Sequence, residues 1–477
     1  MFRVGRAGVR IAGTGIPSKR RKTVAAMLAT AALSVALCTA ACAQEASSHD
    51  GDLASRDALS GDWGGMRSAL EDKGIVLGGD TIDEVLANVS GGTKTGAIYE
   101  GRLELFATLD LDKLLAWPDA TFHVNAYQTH GRGLSANYLG SNLMTASNIE
   151  AARSTRLFDL WIEQLLFNGA LSIRGGQIAA DDEFLTSLYA GNFVNGTFGW
   201  PALMASDLPS GGQAYPLATP GVRLAYAPSR EITLAAAIMN GDPAGSGLSN
   251  PQQRDDNGTA FRFNDGAFVI AEARYAVNQA RDATAEPASY KLGFWYHSGA
   301  FADERYDKSG QSLASPTSSG IARKHWNNFG VYAVADRQLW RDRDADRSLG
   351  VFLRLGLAPL ADRNLVAFYA DAGFNLRGAI ASRADDILGI ALAVAQIGRT
   401  ARAFDRDRRQ IAGGALPIRD NESMIEVTYR IQATPWWALQ PDLQFIRHPG
   451  GDVAPSTQPT RAIPNALVLG LRSAVLF

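Results

Sequence analysis

The sequence predicts an all-β protein, a transmembrane antiparallel β-barrel of about 16 strands with a short N-terminal periplasmic helix. Three features carry this prediction: an apolar-faced strand at the C-terminus, strand-length segments that alternate apolar with charged residues, and an N-terminal export signal. At roughly 25 to 28 residues per strand and connection, the chain after the signal would form about 16 strands.

The N-terminus has the parts of a secretory signal peptide. Basic residues precede an apolar run, which ends in an Ala-x-Ala exit at Ala43. The chain has 2 cysteines, Cys38 and Cys42, and both precede the expected cleavage site, so the exported chain would have no disulfide. We therefore expect three parts: a signal peptide at 1–43, an N-terminal periplasmic segment with a short helix at 44–75, and an outer-membrane barrel at 76–477.

The composition argues against helical membrane spans. The hydrophobic fraction is 46% and the mean hydropathy is -0.08. No apolar run of about 18 residues follows the signal. A barrel has such a composition because half of each strand faces water. The net charge of -2 provides no basic field, so no nucleic-acid partner is expected.

Signatures of catalysis and of bound cofactors are missing from the sequence. It contains no nucleophile-elbow, dinucleotide, phosphate-loop or zinc-protease motif. The 6 histidines are scattered without metal-ligand spacing. We therefore predict that the protein is not an enzyme and uses neither a cofactor nor a metal.

The first predicted element is a helix within residues 60–74. Met66, Ala69 and Leu70 fall on one side of it, and Gly74 suits its C-terminal end. We expect this helix on the periplasmic side, where it would either brace the base of the barrel or plug the pore.

Residues 99–111 have the clearest strand pattern. Glu100, Arg102 and Glu104 share one face, and the other face is almost wholly apolar. Because burying charge is costly, the charged face is expected to meet a water-filled lumen and the other face lipid. Similar patterns predict strands at 120–128, 157–166, 171–178, 221–227, 231–239, 268–277, 290–297, 329–334, 351–357, 366–374, 387–397, 423–433, 438–446 and 466–477.

The last of these strands is expected to close the barrel. Counting back by twos from Phe477 gives a nearly apolar face, and Arg472 lies on the other face among small residues. A wall between lipid and water requires such a division. The alternative is a half-buried strand of a soluble secreted protein.

Polar segments between the strands predict loops. Residues 241–258, 303–324 and 398–419 are rich in Gly, Pro, Asp or Arg and are long enough for outer loops. Residues 341–347 suit a tight turn or a contact at the level of lipopolysaccharide. Residues 200–220, rich in Pro and Gly, are expected to form a compact loop at the rim or inside the lumen.

Inward-facing residues suit a solute with many hydroxyl groups. Trp161 and Glu163 share one strand face, and Arg174 lies in the next strand. Guanidinium and carboxylate groups exchange hydrogen bonds with the hydroxyls of a sugar, and aromatic rings cover its apolar face. The alternative is that these charges only brace the barrel and its loops.

In combination, these segments resemble the carbohydrate-selective outer-membrane porins of the OprB family. The resemblance extends from about residue 60 to the end of the chain. The matching segments include SGDWGGMR at 60–67, LFDLWIEQ at 157–164, RGGQIAA at 174–180, PSGGQAYPLATPG at 209–221, QPDLQFI at 440–446 and NALVLGLRSAVLF at 465–477.

The resemblance implies a barrel in the outer membrane of a Gram-negative cell. It would pass glucose and similar carbohydrates into the periplasm by passive diffusion, through a lumen that loops make narrower. It also implies that the pore is lined, and the sugar bound, by Arg102, Glu104, Trp161, Glu163 and Arg174.

Several alternatives stay open at this point. A general or other small-solute porin without sugar selectivity is the alternative function, and an outer-membrane enzyme built on a barrel is a weaker one. The expected partners are glucose-like sugars, outer-membrane lipid and lipopolysaccharide, and the assembly could be a homo-trimer or a monomer.

Overall fold

The computed structural model describes residues 52–140, 143–280, 283–342, 345–455 and 457–477. The expected signal peptide at 1–43 lies outside these residues. Within them, 16 antiparallel strands form one closed barrel in which β1 pairs with β16. The strands are β1 Ile75–Ser90, β2 Gly96–Asp110, β3 Ala120–Gly131, β4 Ser154–Leu166, β5 Leu171–Ile178, β6 Thr219–Tyr226, β7 Ile232–Asn240, β8 Ala267–Val277, β9 Ala288–Asp307, β10 Ala322–Asp342, β11 Arg347–Leu357, β12 Val366–Arg377, β13 Ile387–Ile397, β14 Asn421–Thr434, β15 Trp437–Arg447 and β16 Ala466–Leu476.

Short helices lie between or before the strands. In the described chain they are α1 Met66–Asp72, α2 Leu111–Leu115, α3 Ala202–Asp207, α4 Pro251–Arg254 and α5 Arg399–Ile411. None of the helices in these residues is both long and apolar enough to cross a membrane.

The residues that alternate between polar and apolar in the sequence form the inner and outer faces of the barrel wall. On β14, Glu422 and Glu426 are buried inside the barrel, whereas on β16 Leu469 and Leu471 are exposed on the outside. Successive residues of a strand point to opposite faces, so one strand supplies both environments. The predicted fold class, a transmembrane antiparallel barrel of about 16 strands, is confirmed.

A buried ion pair closes the seam between the first and last strands. The guanidinium of Arg472 on β16 contacts the carboxylate of Glu84 on β1, and these residues are 8% and 1% exposed. Arg472 also donates a hydrogen bond of 2.6 Å to Asn148 in the loop after β3. The predicted inward position of Arg472 is therefore confirmed.

The N-terminal segment is attached to the C-terminus. α1 (Met66–Asp72) is shorter than the predicted 60–74, because Gly65 before it and Gly74 after it have φ angles of 90°. Arg67 Nη2 donates a hydrogen bond of 2.8 Å to the terminal carboxylate of Phe477. The helix thus braces the end of the closing strand.

Strand positions were predicted better than strand lengths. β9 and β10 contain 20 and 21 residues, whereas the predictions at 290–297 and 329–334 gave only their apolar centres. The outer loop expected at 303–324 is therefore shorter, at 308–321, because residues 303–307 and 322–324 belong to the two strands. The upper parts of this hairpin rise above the apolar zone, where no alternation of apolar side chains is needed.

Two further expectations were wrong in detail. β1 was not predicted, because Gly78, Gly79 and several acidic residues interrupt its apolar alternation, so Arg102 lies on the second strand and not the first. The polar loop expected at 398–419 contains α5, whose Asp407 pairs with Arg305 of β9 at 2.7 Å.

The connections identify the two ends of the barrel. The long connections, such as 132–153, 179–218 and 241–266, lie together at one end. The other end has short turns, the first described residues of the N-terminal segment and the C-terminus. Long loops are typical of the extracellular end of such barrels. Asp342 at the end of β10 and Arg347 at the start of β11 therefore lie at the periplasmic end, away from lipopolysaccharide.

Candidate functional site

Two loops fold into the barrel and cross its lumen. The loop 132–153 follows β3, and Glu422 on the far wall accepts hydrogen bonds of 2.8 and 2.9 Å from two of its backbone N–H groups. The loop 179–218 follows β5, and Glu426 accepts bonds of 2.6 and 3.0 Å from its backbone. The compact loop expected at 200–220 is part of this second inward loop.

Arg354 on β11 attaches the second loop most firmly. Its side chain is 2% exposed and pairs with Asp371, with Nε 3.1 Å from Oδ1 and Nη2 2.5 Å from Oδ2. The remaining donor groups reach, at 2.9 to 3.2 Å, the backbone oxygens of Leu185, Thr197 and Gly199. One buried side chain therefore fixes the loop at three points.

Arg102 and Glu104 lie side by side on the inward face of β2. Arg102 Nη2 is 2.7 Å from Asp80 Oδ2 and 3.3 Å from Glu104 Oε2, and its guanidinium lies 4.9 Å from the ring centre of Tyr127. The side chains of Asp80 and Glu104 are 20% and 17% exposed. Carboxylate oxygens beside a fixed guanidinium therefore remain open to the lumen.

Glu163 and Arg174 belong to a closed network of four charges. Arg174 is 3.3 Å from Glu163 and 2.8 Å from Glu183. Arg223 on β6 is 2.9 Å from Glu163 and 2.7 Å from Glu183. Each charge has two partners of opposite sign, so this network links the wall at β4–β6 to the start of the second inward loop.

Trp161 is enclosed by its neighbours on the flanking strands. The ring of His123 on β3 stacks on it with centres 4.8 Å apart, and the guanidinium of Arg174 on β5 lies 3.9 Å from its centre. Trp161 is 6% exposed. In this conformation, its ring has little surface left for a solute.

Two carboxyl groups at the start of the second inward loop are buried together. Burial, followed by the charge of Asp182, raises the pKa of the Asp181 carboxyl to about 8. Burial also raises the pKa of Asp182. Asp181 Oδ2 accepts a hydrogen bond of 3.0 Å from the backbone N–H of Tyr215. Because a carboxyl with a pKa of about 8 is mostly protonated at neutral pH, this part of the lumen has fewer negative charges than carboxyl groups.

The five residues predicted to line the pore all face inward, and they form two adjacent clusters. One cluster contains Arg102 and Glu104, and the other contains Trp161, Glu163 and Arg174. Asn125 on β3 lies between the clusters, because it donates to Glu104 at 2.9 Å and accepts from the backbone of β4 at 2.6 Å.

Three further members of these clusters were not singled out from the sequence. Asp80 lies on β1, the strand that was not predicted, and Glu183 lies in a loop where alternation gives no information. Arg223 could have been found, because it is the charged residue in the apolar strand predicted at 221–227. In the described residues, no group of three or more His, Cys, Asp or Glu side chains is placed to hold a metal.

The fold and this wall together define an outer-membrane porin: a closed barrel, apolar outside, charged inside and narrowed by inward loops. Residues 94–477 match the family described as carbohydrate-selective porin, OprB family. The chain belongs to this family. It is a carbohydrate-selective channel through which sugars diffuse across the outer membrane, and not an enzyme.

Individual relatives agree with this assignment. Porin B of Pseudomonas aeruginosa is 27% identical over 442 residues, which cover 87% of this chain and 90% of that protein. The high-pH structure of Pseudomonas putida OprB has a TM-score of 0.79 at 24% identity, covering 90% of this chain and 100% of that one. The low-pH structure of the same protein has a TM-score of 0.54 at 19% identity, covering 89% and 99%. Both structures have the fold of this chain.

Proposed function

We propose that glucose and similar carbohydrates pass along the wall formed by β2–β6, where Arg102, Glu104, Trp161, Glu163 and Arg174 line their path. The observation that carries this proposal is the partly open carboxylate and guanidinium pair at Glu104 and Arg102. Such a pair offers acceptors and donors at fixed separation, which matches the adjacent hydroxyl groups of a sugar ring.

The two clusters have different roles in this proposal. Glu104 and Asp80, whose side chains are the more exposed at 17% and 20%, make the direct contacts with sugar hydroxyls beside the guanidinium of Arg102. Glu163, Arg174 and Trp161 bound the path and hold the second inward loop in position. The contacts are weak and spread over several groups, as passage requires, since tight binding would stop the flow.

The proposal includes the maturation and surroundings of the protein. Residues 1–43 are a cleaved secretory signal peptide, 44–75 a periplasmic segment and 76–477 the barrel. Outer-membrane lipid covers the apolar exterior, with lipopolysaccharide at the extracellular end. A closed barrel is compatible with a monomer as well as with a homo-trimer.

The experiment is a single-channel recording of the mature protein in a planar bilayer with increasing glucose. We expect glucose to reduce the current in a saturable manner. Arg102→Gln should raise the half-saturating glucose concentration about tenfold, because it removes the hydrogen bonds that the charged guanidinium donates to the sugar. Arg430→Gln is the matched control, since Arg430 lies on the inward face of β14 near the periplasmic end.

Two results would contradict the proposal. Equal effects of Arg102→Gln and Arg430→Gln on the half-saturating glucose concentration would show that the sugar site does not lie on β2. Open channels whose current no sugar alters, combined with equal flux of glucose and amino acids into liposomes, would favour a general small-solute pore.

A further inference from the structure

A groove of about 390 Å³ crosses the lipid-facing side of the barrel over β11–β15. Small outward side chains, those of Ala370, Ala372 and Ser423, form its floor. Larger side chains, those of Leu353, Leu392 and Phe445, stand around them. This part of the wall is therefore recessed by side-chain size alone, while the strand pairing below it is continuous.

The groove lies in the outer half of the membrane. Its uppermost residue, Arg447, ends β15 at the extracellular side and is the cross-strand partner of Ser423. Ala370 lies about 13 Å below Val366, where β12 begins. Half of the hydrocarbon thickness is about 15 Å. The recess thus opens toward the acyl chains of the outer leaflet.

Free positive charge lies at the extracellular end of the groove. Arg447 is exposed, and among the described residues it has no carboxylate within ion-pair distance; the same holds for Arg399 at the top of β13. In the neighbouring loops, Asp420 pairs with Arg402 at 3.1 Å and Asp452 lies 3.2 Å from His448, and neither carboxylate is within ion-pair distance of Arg447 or Arg399. The two arginines are therefore available to an external anion.

We propose that this groove binds the phosphorylated glycolipid of the outer leaflet. Its acyl chains lie over Ala370, Ala372 and Ser423, and Arg447 and Arg399 hold its phosphate groups. Arginine suits this role because its planar fork binds phosphate through two hydrogen bonds and is weakly hydrated. Apolar contact within the recess and positive charge at its upper end favour a lipid that has both acyl chains and phosphate groups.

A second copy placed by two-fold symmetry fits this surface less well. Two copies related by a two-fold axis along the membrane normal would bring the same residues together at the same height. Arg447 of one copy would then face Arg447 of the other without an acid between them, and like charges repel in such a low-dielectric setting.

The test is native mass spectrometry of the mature barrel in detergent, titrated with hexa-acylated, bis-phosphorylated lipid A. We expect a retained one-to-one complex. Ala370→Leu/Ser423→Leu fills the floor and should weaken binding about tenfold, the equivalent of about two buried methylene groups. Arg447→Gln should weaken it about fivefold, the effect of one basic residue on an anionic headgroup.

Matched controls separate this site from general adhesion of lipid. Ala236→Leu adds one of the two leucines' bulk to the lipid-facing side of β7, and Arg323→Gln removes an exposed arginine at the extracellular end of β10; neither should alter retention. Arg447 is at the surface, so Arg447→Gln tests the proposal even if the groove-filling variant does not fold.

Three outcomes would overturn the proposal. One is equal retention of lipid A by the wild type and Arg447→Gln. Another is equally tight retention of phosphatidylglycerol, which would indicate an unspecific anionic surface. The third is the loss of a dimer or trimer from the groove-filling variant with lipid retention unchanged, which would make a second copy the occupant. Since the groove is outside the barrel, the response of the current to glucose does not bear on it.

Discussion

At the scale of single residues, the lumen is organised by charges that meet more than one partner. Glu163 and Glu183 each bridge Arg174 and Arg223. An unpaired buried charge costs several kcal/mol, whereas each charge of this network of four has two partners of opposite sign. The pairing therefore fixes side-chain positions in the lumen without leaving any of these four charges alone.

Asp181 is the residue whose charge should respond to pH. Its pKa is raised to about 8 in the folded chain and returns to about 4 on unfolding. Between these values the folded state binds the extra proton, so stability falls as pH rises from about 4 to about 8 and is constant above. Asp181→Asn should match the wild type at pH 4 and exceed it at pH 9 by several kcal/mol, up to about 5 kcal/mol for pKa values of about 4 and about 8.

Guanidinium titrations of the two proteins at pH 4 and pH 9 measure this difference. Asp57→Asn, at an exposed position of the N-terminal segment, is the control and should show no gap at either pH. A gap between Asp181→Asn and the wild type that is the same at pH 4 and pH 9 would contradict the prediction.

At the scale of elements, the second inward loop depends on its attachment to the far wall. Arg354 accounts for three of its backbone contacts and neutralises Asp371. The loop has no strand partner of its own in this region. Its position, and with it the width of the lumen, is therefore set by side chains of β11 and β12.

Arg354→Met should destabilise the barrel and release the loop. Asp371 would remain as an uncompensated buried charge, which costs about 3 to 5 kcal/mol. Arg354→Met/Asp371→Leu removes that charge and should recover most of the stability, but the loop contacts stay lost. Denaturation midpoints measure the first effect, and single-channel conductance, expected to rise in both variants, measures the second.

Arg377→Met provides the comparison for this pair of variants. Arg377 ends β12 at the periplasmic side, where it is 2.7 Å from the exposed Asp385. Its loss should cost less than about 1 kcal/mol and leave the conductance unchanged. An unchanged conductance of Arg354→Met would show that other contacts hold the loop.

At the scale of the whole molecule, two sets of contacts close the barrel. β1 pairs with β16 along its length, and the Glu84–Arg472 pair crosses this seam. The N-terminal segment then covers the end of the seam, with Arg67 on the carboxylate of Phe477. Residues from the two ends of the chain thus complete one wall.

Arg67→Ala should weaken this closure by about 1.5 to 3 kcal/mol, the usual contribution of a hydrogen bond to a charged group. The measurement is the temperature at which the compact form disappears during electrophoresis after heating. Met66→Ala, at the neighbouring exposed position, should leave that temperature unchanged. If both variants behave alike, the contact between Arg67 and Phe477 does not stabilise the barrel.

The sequence predicted the site residues that lie on strands with regular alternation. Arg102, Glu104, Trp161, Glu163 and Arg174 were assigned to inward faces, since alternation with a period of two fixes the side of each residue. Their partners were missed where that pattern fails, on the glycine-rich β1 and in the loop 179–218.

The sequence by itself determined the barrel and, within the predicted strand segments, the side of the wall on which each residue lies, because period-two alternation is a local property of the backbone. Only the tertiary structure decided which charges meet, how the inward loops are held, and that Trp161 is enclosed between His123 and Arg174. These contacts join residues that are far apart in the chain, and their partners are chosen by the strand register and by the path of the loops across the lumen.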